Sequence, residues 1–582
     1  MPEEVICDSN IEVPMRDGVR LECNVVRPRA PGKYPVLVVR SPYGRDAYVD
    51  DPGHSVWFFA QRGYAVVTQD CRARFGSEGE GYDPLFQEVE DGYDTVEWAA
   101  RQSWSNGRVG TTGQSYMGAT QYTLATNNPL PPHLQTMAPV SASSDFHQSW
   151  VYHTGGAMEW GWMVPYAIHK GINTLERMGR IDLVKEVEGY LEPGENFARP
   201  LTGDWYRHLP LSDWAELLKE TAPYFGDYLA NERDGPYWWR ANLNRHLAGI
   251  SVPMLHVSSW YDIFLEGALN AFMGISENGA NQLARENQKL LVGPWAHLLP
   301  YNKPTSGDTG EIDFGDEARI ELHDYLLRWF DHWLKDSDTG IMDEPPVRLF
   351  VMGENRWRDE NEWPLARTEY TRLYFHSDGN ANTRHGSGSL SLAPPGDEPP
   401  DSYVYDPNDP VPTQRGNTLI IPYGVADQRE VEERADVLVY TSDPLDEDLE
   451  ITGPIKVHLF AASDATDTDF TAKLVDVRPD GYSQNLQDGM IRTRFRDSTS
   501  NPSPIEPGRV YAYEIDLWAT SHVVRTGHRL RIEVSSSNFP RFDRNPNTGA
   551  PFGQDDRLST ARQEVHHSAA RPSHVVLPVI PR

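Results

Sequence analysis

Between Tyr34 and Val140 two patterns alternate along the chain. Short apolar runs rich in branched residues (Pro35 to Arg40, Tyr64 to Gln69, Arg108 to Gly113, Leu134 to Val140) alternate with stretches of helical apolar spacing (Trp57 to Arg62, Gln87 to Gln102, Tyr116 to Ala125). Runs without polar alternation suit strands buried on both faces. Strand and helix in turn predict a mostly parallel sheet with helices on both faces. Ahead of it, Ile11 to Arg27 alternates around Arg16-Asp-Gly18 and predicts a hairpin.

From Ser144 to Leu243 the strand pattern stops. Trp150, Trp160, Trp162, Trp205, Trp214, Trp238 and Trp239 lie among stretches such as Ile172 to Tyr190 and Trp214 to Leu218, which predicts a helical insertion. The α/β pattern resumes with strands at Ile250 to Ser258 and Leu290 to Val292. A strongly amphipathic helix then runs from Glu317 to Lys335, apolar at Ile320, Leu322, Tyr325, Leu326, Trp329, Phe330 and Trp333. Beyond Pro346 the pattern is all-β. Short alternating runs at Val347–Val351, Thr371–His376, Val437–Thr441, Ile455–Ala461, Thr471–Val477, Val510–Leu517, Arg529–Ser535 and His574–Val579 are separated by loops rich in Pro, Gly, Asp and Asn. That spacing predicts a sandwich or jelly roll. The expected organisation is an α/β core from residues 1–143 and 244–345, a helical cap at 144–243, and a jelly-roll β-sandwich at 346–582.

Composition narrows the partners. A chain of 582 residues is long enough for two to four domains. A formal net charge of −32 argues against nucleic acid and anionic membrane surfaces, which it would repel. Three cysteines, Cys7, Cys23 and Cys71, show no C-x-x-C spacing and predict neither a disulfide framework nor a zinc site. No cofactor or metal is expected. The N-terminal stretch has no basic and apolar signal pattern, and no apolar run reaches membrane-span length. A soluble cytoplasmic protein is the expectation, with a homodimer left open.

The candidate chemistry sits at Arg108 to Gln121. Strand, tight turn and helix meet at Gly113-Gln-Ser115-Tyr-Met-Gly118, the context of a nucleophile elbow. Such a turn exposes the Ser115 hydroxyl and aims the Tyr116 amide at the same point, at the positive end of a helix. The strict G-x-S-x-G pattern is not met, because Met117 stands where the second glycine would be. Tyr43 follows a predicted central strand within Ser41-Pro-Tyr-Gly-Arg45, at the edge where open α/β sheets bind ligands. Asp262 and His297 each follow a later strand of the same sheet, in the chain order Ser, Asp, His of α/β-hydrolases. A serine nucleophile needs such a base and such an orienting carboxylate.

With these residues in place, the sequence resembles the CocE/NonD family of serine hydrolases. The matching stretches are Arg40-Ser-Pro-Tyr-Gly-Arg45, Gly113-Gln-Ser-Tyr-Met-Gly118, Trp260-Tyr-Asp262 and Gly293-Pro-Trp-Ala-His297. The β-rich part adds Tyr405 to Pro412, Thr452 to Thr471 and Phe539 to Asn545. The resemblance implies an α/β-hydrolase core with an inserted cap and a C-terminal jelly roll. It implies Ser115 as nucleophile, His297 as base and acid, Asp262 as its orienting carboxylate, and the Tyr43 phenol beside the Tyr116 N–H in the oxyanion hole. It also accounts for Met117, since the family elbow reads G-x-S-Y-x-G. One departure stands out: Asp70-Cys-Arg-Ala-Arg74 lacks a glycine after Arg72, so no function is assigned to that loop.

The expected substrate is a small ester or activated amide, cleaved through an acyl-enzyme. Trp150, Trp160 and Trp162 of the cap, with Trp260, Phe264 and Trp295, are the candidate lining of an apolar acyl pocket. An α-amino-acid ester hydrolase or acylase would instead need a carboxylate for the substrate ammonium, with Glu159, Asp234 and Glu266 as candidates. An X-prolyl dipeptidyl-peptidase is disfavoured, because the chain opens directly in the hydrolase core. A non-catalytic carbohydrate-binding protein is the competing class.

Overall fold

The computed structural model describes residues 3–48, 55–191, 204–297, 299 and 309–581. Met1, Pro2 and the side chain of Trp205 lie outside what it describes.

The first sheet has ten strands among the described residues: β1 (Val5–Pro14), β2 (Arg20–Pro28), β3 (Tyr34–Ser41), β4 (Ala65–Asp70), β5 (Ser105–Gln114), β6 (Leu134–Val140), β7 (Met254–Ser259), β8 (Gln288–Gly293), β9 (Val347–Val351) and β10 (Arg356–Glu360). Their order is β1-β2-β4-β3-β5-β6-β7-β8-β9-β10. From β4 through β9 neighbouring strands run parallel, and β1, β2 and β10 are antiparallel edges. Every residue of β4, β7 and β8 is buried, as in a sheet covered on both faces. The β1–β2 hairpin turns at Arg16-Asp-Gly18, where Gly18 takes φ +91° and Met15 N–H donates to Val19 O at 2.8 Å.

Helices α1 (Ser55–Ala60), α2 (Glu88–Ala100) and α3 (Tyr116–Leu124) cross between the early strands. The amphipathic helix Leu322–Lys335 lies against β5, where a Cβ at Gly110 would stand 3.0 Å from Leu334 Cδ1. The loops after β3, β5, β7 and β8 all open at one edge of the sheet, carrying Tyr43, Ser115, Asp262 and His297.

The insertion after β6 is helical, and its two ends are tied: Leu243 N–H donates to Ser144 O at 2.9 Å. Its main helix, α4, runs from Trp160 to Arg177 and is followed by a second at Ile181–Leu191. The single helix expected over Ile172 to Tyr190 is therefore two. Gly179, at φ +71°, ends the first with its N–H on Glu176 O. The start of α4 is not evident in the sequence because tryptophans and Pro165 crowd its first turns.

The boundary expected at 346 moves. Val347–Val351 joins the first sheet, with Leu290 opposite Val347 and Val292 opposite Leu349, and β10 follows it. Val347, Leu349, Phe350 and Val351 are fully buried, so this is a core strand covered on both faces. The short run of apolar residues could not say which sheet it joins.

From Glu369 onward the chain is a mostly antiparallel β-domain. Most of the strands expected as a jelly roll lie on one hydrogen-bonded path that begins Asp401–Tyr405, Ala561–Ser568, Leu449–Ser463, His574–Val579, Glu369–His376, while Tyr511–Val524 lies off it and pairs with Leu449–Ser463. Ile455, Val457, Leu459, Ile515, Leu517, Ile532 and Val575 are among the residues that fill its core. The strand Ser483–Arg492 is buried at every position although mostly polar: it pairs with Asp469–Val477 and is bonded to the first domain through Asn485 and Gln487. Among the described residues no helix is long and apolar enough to cross a membrane, and no three His, Cys, Asp or Glu side chains converge as a metal site. Cys7, Cys23 and Cys71 are free thiols.

Candidate active site

Ser115 occupies the sharp turn between β5 and α3. Its backbone is at φ 62°, ψ −125°, a conformation that non-glycine residues avoid and that marks strained functional turns. The neighbouring glycines are required sterically. A Cβ on Gly113 would lie 2.4 Å from Met117 Cβ, and one on Gly118 would lie 2.6 Å from Ala142 Cβ and 2.9 Å from Val140 O. The turn is pinned by Ser115 N–H on Val140 O at 2.9 Å. The first-turn N–H of Tyr116 has no intrahelical acceptor, as at every helix start. It stands at the positive end of α3. The Tyr116 side chain points the other way, accepting from Leu85 N–H at 2.8 Å and donating to Glu88 at 3.2 Å.

Tyr43 follows β3 in a loop held at both ends. Its N–H donates to Ser41 Oγ at 3.0 Å, and Arg45 is bound through backbone and side chain to the buried Asp70. Burial pushes the Tyr43 phenol up to about 12, offset in part by the nearby Tyr166 and Ser115 hydroxyls. It therefore stays protonated and can donate at neutral pH. The proximity to Ser115 places that donor beside the elbow.

Asp262 and His297 meet on the loops after β7 and β8. His297 Nδ1 lies 3.1 Å from Asp262 Oδ1, and the same oxygen accepts from Phe264 N–H at 3.1 Å. Asp262 is fully buried and His297 is 6% exposed. Gln114, next to Ser115, donates its side-chain amide to the His297 carbonyl, which ties the histidine loop to the elbow. A carboxylate on Nδ1 leaves Nε2 as the nitrogen able to accept a proton.

Three of the six expected pocket residues gather here. Phe264 packs edge-on to His297 with centroids 5.4 Å apart, and Trp150 stacks on Phe264 at 4.4 Å. Trp162 packs against both, and Trp150 reaches Tyr116 at 6.2 Å. The other three belong elsewhere. Trp160 donates to Tyr206 O and packs on Trp214 inside the cap. Trp260 donates to Phe350 O and meets Trp363. Trp295 donates to Ala318 O and meets Trp357. Each buried indole N–H needed an acceptor, and the structural backbone supplied it.

The candidate ammonium-binding acids are each engaged by partners of their own. Glu159 pairs with His153 and sits 3.5 Å from Arg541. Asp234 accepts from Trp239 and pairs with Arg245. Glu266 accepts from Thr154 Oγ1 at 2.6 Å. Sequence reading missed Tyr166, Lys170 and Arg74, which surround Tyr43. The available signal was the four-residue spacing of Trp162, Tyr166 and Lys170 in the cap.

Known proteins agree with this architecture. Residues 17–299 match the family described as X-Pro dipeptidyl-peptidase (S15 family), and residues 339–576 match the X-Pro dipeptidyl-peptidase C-terminal non-catalytic domain. The chain is 38% identical to a cocaine esterase of Rhodococcus sp. (strain MB1 Bresler), over 99% of this chain and 98% of that protein. Among solved structures, an aminopeptidase from a marine sediment Thaumarchaeota archaeon superimposes with TM-score 0.81 at 25% identity, covering 100% of this chain and 97% of the other. An α-amino acid ester hydrolase superimposes with TM-score 0.79 at 26% identity, covering 99% and 97%. With a full-length relative at that identity and both family matches in register with its two parts, the chain belongs to the CocE/NonD family of serine ester hydrolases.

Proposed function

We propose that Ser115 is the nucleophile of this esterase and that it cleaves esters of apolar, preferably aromatic, acyl groups. The observation that carries the reading is the elbow itself: Ser115 in a strained strand-to-helix turn, with the Tyr43 phenol beside it and the His297–Asp262 pair on neighbouring loops.

The roles follow from the chemistry. Ser115 Oγ attacks the ester carbonyl carbon while His297 Nε2 takes its proton. Asp262 holds the imidazole in the Nδ1–H form and stabilises the imidazolium. Negative charge develops on the carbonyl oxygen, and the Tyr43 hydroxyl and Tyr116 N–H are the donors for it. Collapse expels the alcohol, which leaves with the proton from His297. Water, deprotonated by the same imidazole, then attacks the acyl-enzyme and frees Ser115.

The acyl preference rests on Trp150, Trp162 and Phe264, a ring cluster running up to His297. The names of the similar structures include an aminopeptidase and an amino-acid ester hydrolase, which would need a carboxylate facing the substrate amine. Glu159, Asp234 and Glu266 are each engaged by partners of their own, so the plain ester is favoured.

The test is a hydrolysis panel of wild type against Ser115→Ala, with p-nitrophenyl butyrate, a phenylglycine methyl ester and Gly-Pro-p-nitroanilide. Cleavage of the plain ester that disappears in S115A, together with loss of labelling by a serine-directed fluorophosphonate, supports the reading. Persistent turnover in S115A removes Ser115 from its role. Preference for either amino-bearing substrate removes the apolar acyl reading.

A further inference from the structure

The cap helix α4 carries Trp162, Tyr166, Lys170 and Thr174 at four-residue intervals, one per turn along one face. That face meets the core loops. Trp162 packs on Trp150 and Phe264. Lys170 Nζ lies 3.7 Å from the centroid of the Tyr43 ring and 5.2 Å from that of Tyr166. Thr174 Oγ1 accepts from Arg74 at 3.5 Å. Arg74 also donates to Lys170 O at 2.8 Å and to Pro42 O at 3.3 Å, next to Tyr43. The Tyr43 loop is thus clasped between one helix face and one guanidinium.

Lys170 is 2% exposed, and among the described residues no carboxylate pairs with it. A buried amine without a carboxylate is costly, and a fold that keeps one has given it another partner. Here the partner is the face of a phenol. Burial and the neighbouring Arg74 pull the Lys170 ammonium well below the ordinary lysine value, against a smaller opposing pull from Cys71. The electron-rich ring face favours the charged amine. When the amine holds its proton against these pulls, its charge at that face stabilises negative charge on the phenol oxygen, which makes the hydroxyl a stronger donor.

We propose that Lys170 is a positioning residue for the oxyanion donor: held against the Tyr43 ring by α4, its amine fixes that ring beside Ser115 and strengthens the hydroxyl toward the developing oxyanion. This rests on Tyr43 serving the oxyanion, as proposed above. It also gives the cap a part in the chemistry, because the same helix face lines the acyl site and braces the donor.

The test is a double-mutant cycle on p-nitrophenyl butyrate, with Tyr43→Phe, Lys170→Met and both together in the full chain, each checked by its thermal unfolding midpoint. Lys170→Gln repeats the single change with a different side chain. The expected result is a kcat about tenfold lower in K170M and K170Q with KM changed less than twofold. Y43F alone should fall about 10²-fold. The double variant should be no slower than Y43F, since a residue acting through the phenol has nothing left to act on. Lys170→Arg, which returns a permanent charge, should recover most of the loss.

A loss in K170M that persists undiminished in the Y43F background overturns the proposal, as does wild-type kcat in both single variants. Failure of K170R to exceed K170M overturns the part played by charge. An unchanged kcat in Y43F would instead overturn the assignment of Tyr43, which separates the two readings.

Discussion

Asn417, in the β-domain, donates its side-chain amide to the backbone carbonyl of Asp262 at 3.2 Å and to that of Trp260 at 2.8 Å. Gln487 adds a bond to Trp260 O at 2.7 Å, and Tyr261 returns one to Asn485 O at 2.9 Å. The loop that carries the carboxylate of the site is therefore fixed by the second domain, not by its own sheet alone. The β-domain holds the acid in place while contributing no reacting group to the chemistry proposed for the site.

Removing that brace should cost rate more than fold. Asn417→Ala takes one donor from each of two buried carbonyls, Trp260 O keeping Gln487 and Asp262 O keeping Leu265 N–H, and lets the Asp262 loop drift. The expected outcome is a kcat lowered about tenfold with KM little changed, since displaced catalytic groups cost far more than displaced surface. Steady-state kinetics beside an unchanged far-UV CD spectrum would check it. A wild-type kcat would mean that β7 positions Asp262 unaided.

Asp262 itself should show a sharper effect. Its Oδ1 serves both Phe264 N–H and His297 Nδ1, so the charge and not only the shape is used. Asp262→Asn keeps the volume but presents an amide that favours the wrong imidazole tautomer. A fall in kcat on the order of 10³–10⁴ is expected, with fluorophosphonate labelling of Ser115 slowed in step. Labelling at the wild-type rate would sink the pairing.

The sequence reading and the structure diverge for identifiable reasons. The parallel core was legible because strands buried on both faces read as continuous apolar runs, and the four loops of the site follow directly from their order. The strand Ser483–Arg492 was not, because its buried polar residues are satisfied by distant partners: Gln487 by Trp260 O across the domain interface, Asp488 by Arg541 and Asn538 within the β-domain. No local pattern announces a partner some 230 residues away. Trp160, Trp260 and Trp295 were overread because a tryptophan beside a motif looks the same whether its ring packs on Phe264 and the His297 loop or on other aromatic rings away from them. Lys170 was passed over because a charged residue in a helix is ordinarily solvated, and only the fold shows that this one is enclosed.

The departure noted at Ala73 has a structural counterpart. Ala73 takes φ 57°, the left-handed region, between Arg72 on Asp91 and Arg74 under the cap helix. An L-residue with a Cβ pays about 1–2 kcal/mol there that glycine avoids, partly offset by the freedom glycine gains when unfolded. Ala73→Gly should therefore stabilise the protein by about 0.5–1 kcal/mol with activity retained. Chemical denaturation would read it, and a lowered midpoint would show that the Cβ packs well enough to outweigh the strain.

Glu266 gives a pH dependence with a definite sign. It lies in the helix after Asp262, bonded to Thr154 of the cap at 2.6 Å, and enclosure together with Asp516 and Asp145 pushes its carboxyl from 4.5 up to about 8. A raised acid binds its proton more tightly folded than unfolded. Its contribution is intact below 4.5 and is drawn down as pH climbs toward 8, because the fold must then either bury a charge beside other carboxylates or open. The thermal midpoint of the wild type should fall between pH 6 and pH 9. In Glu266→Gln, which still accepts from Thr154 but cannot ionise, that fall should be smaller by several degrees, and the variant should be the more stable protein at pH 9. Parallel curves for the two proteins across that range would mean that Glu266 is already ionised at neutral pH and that the carboxylate cluster is relieved by solvent rather than by a proton.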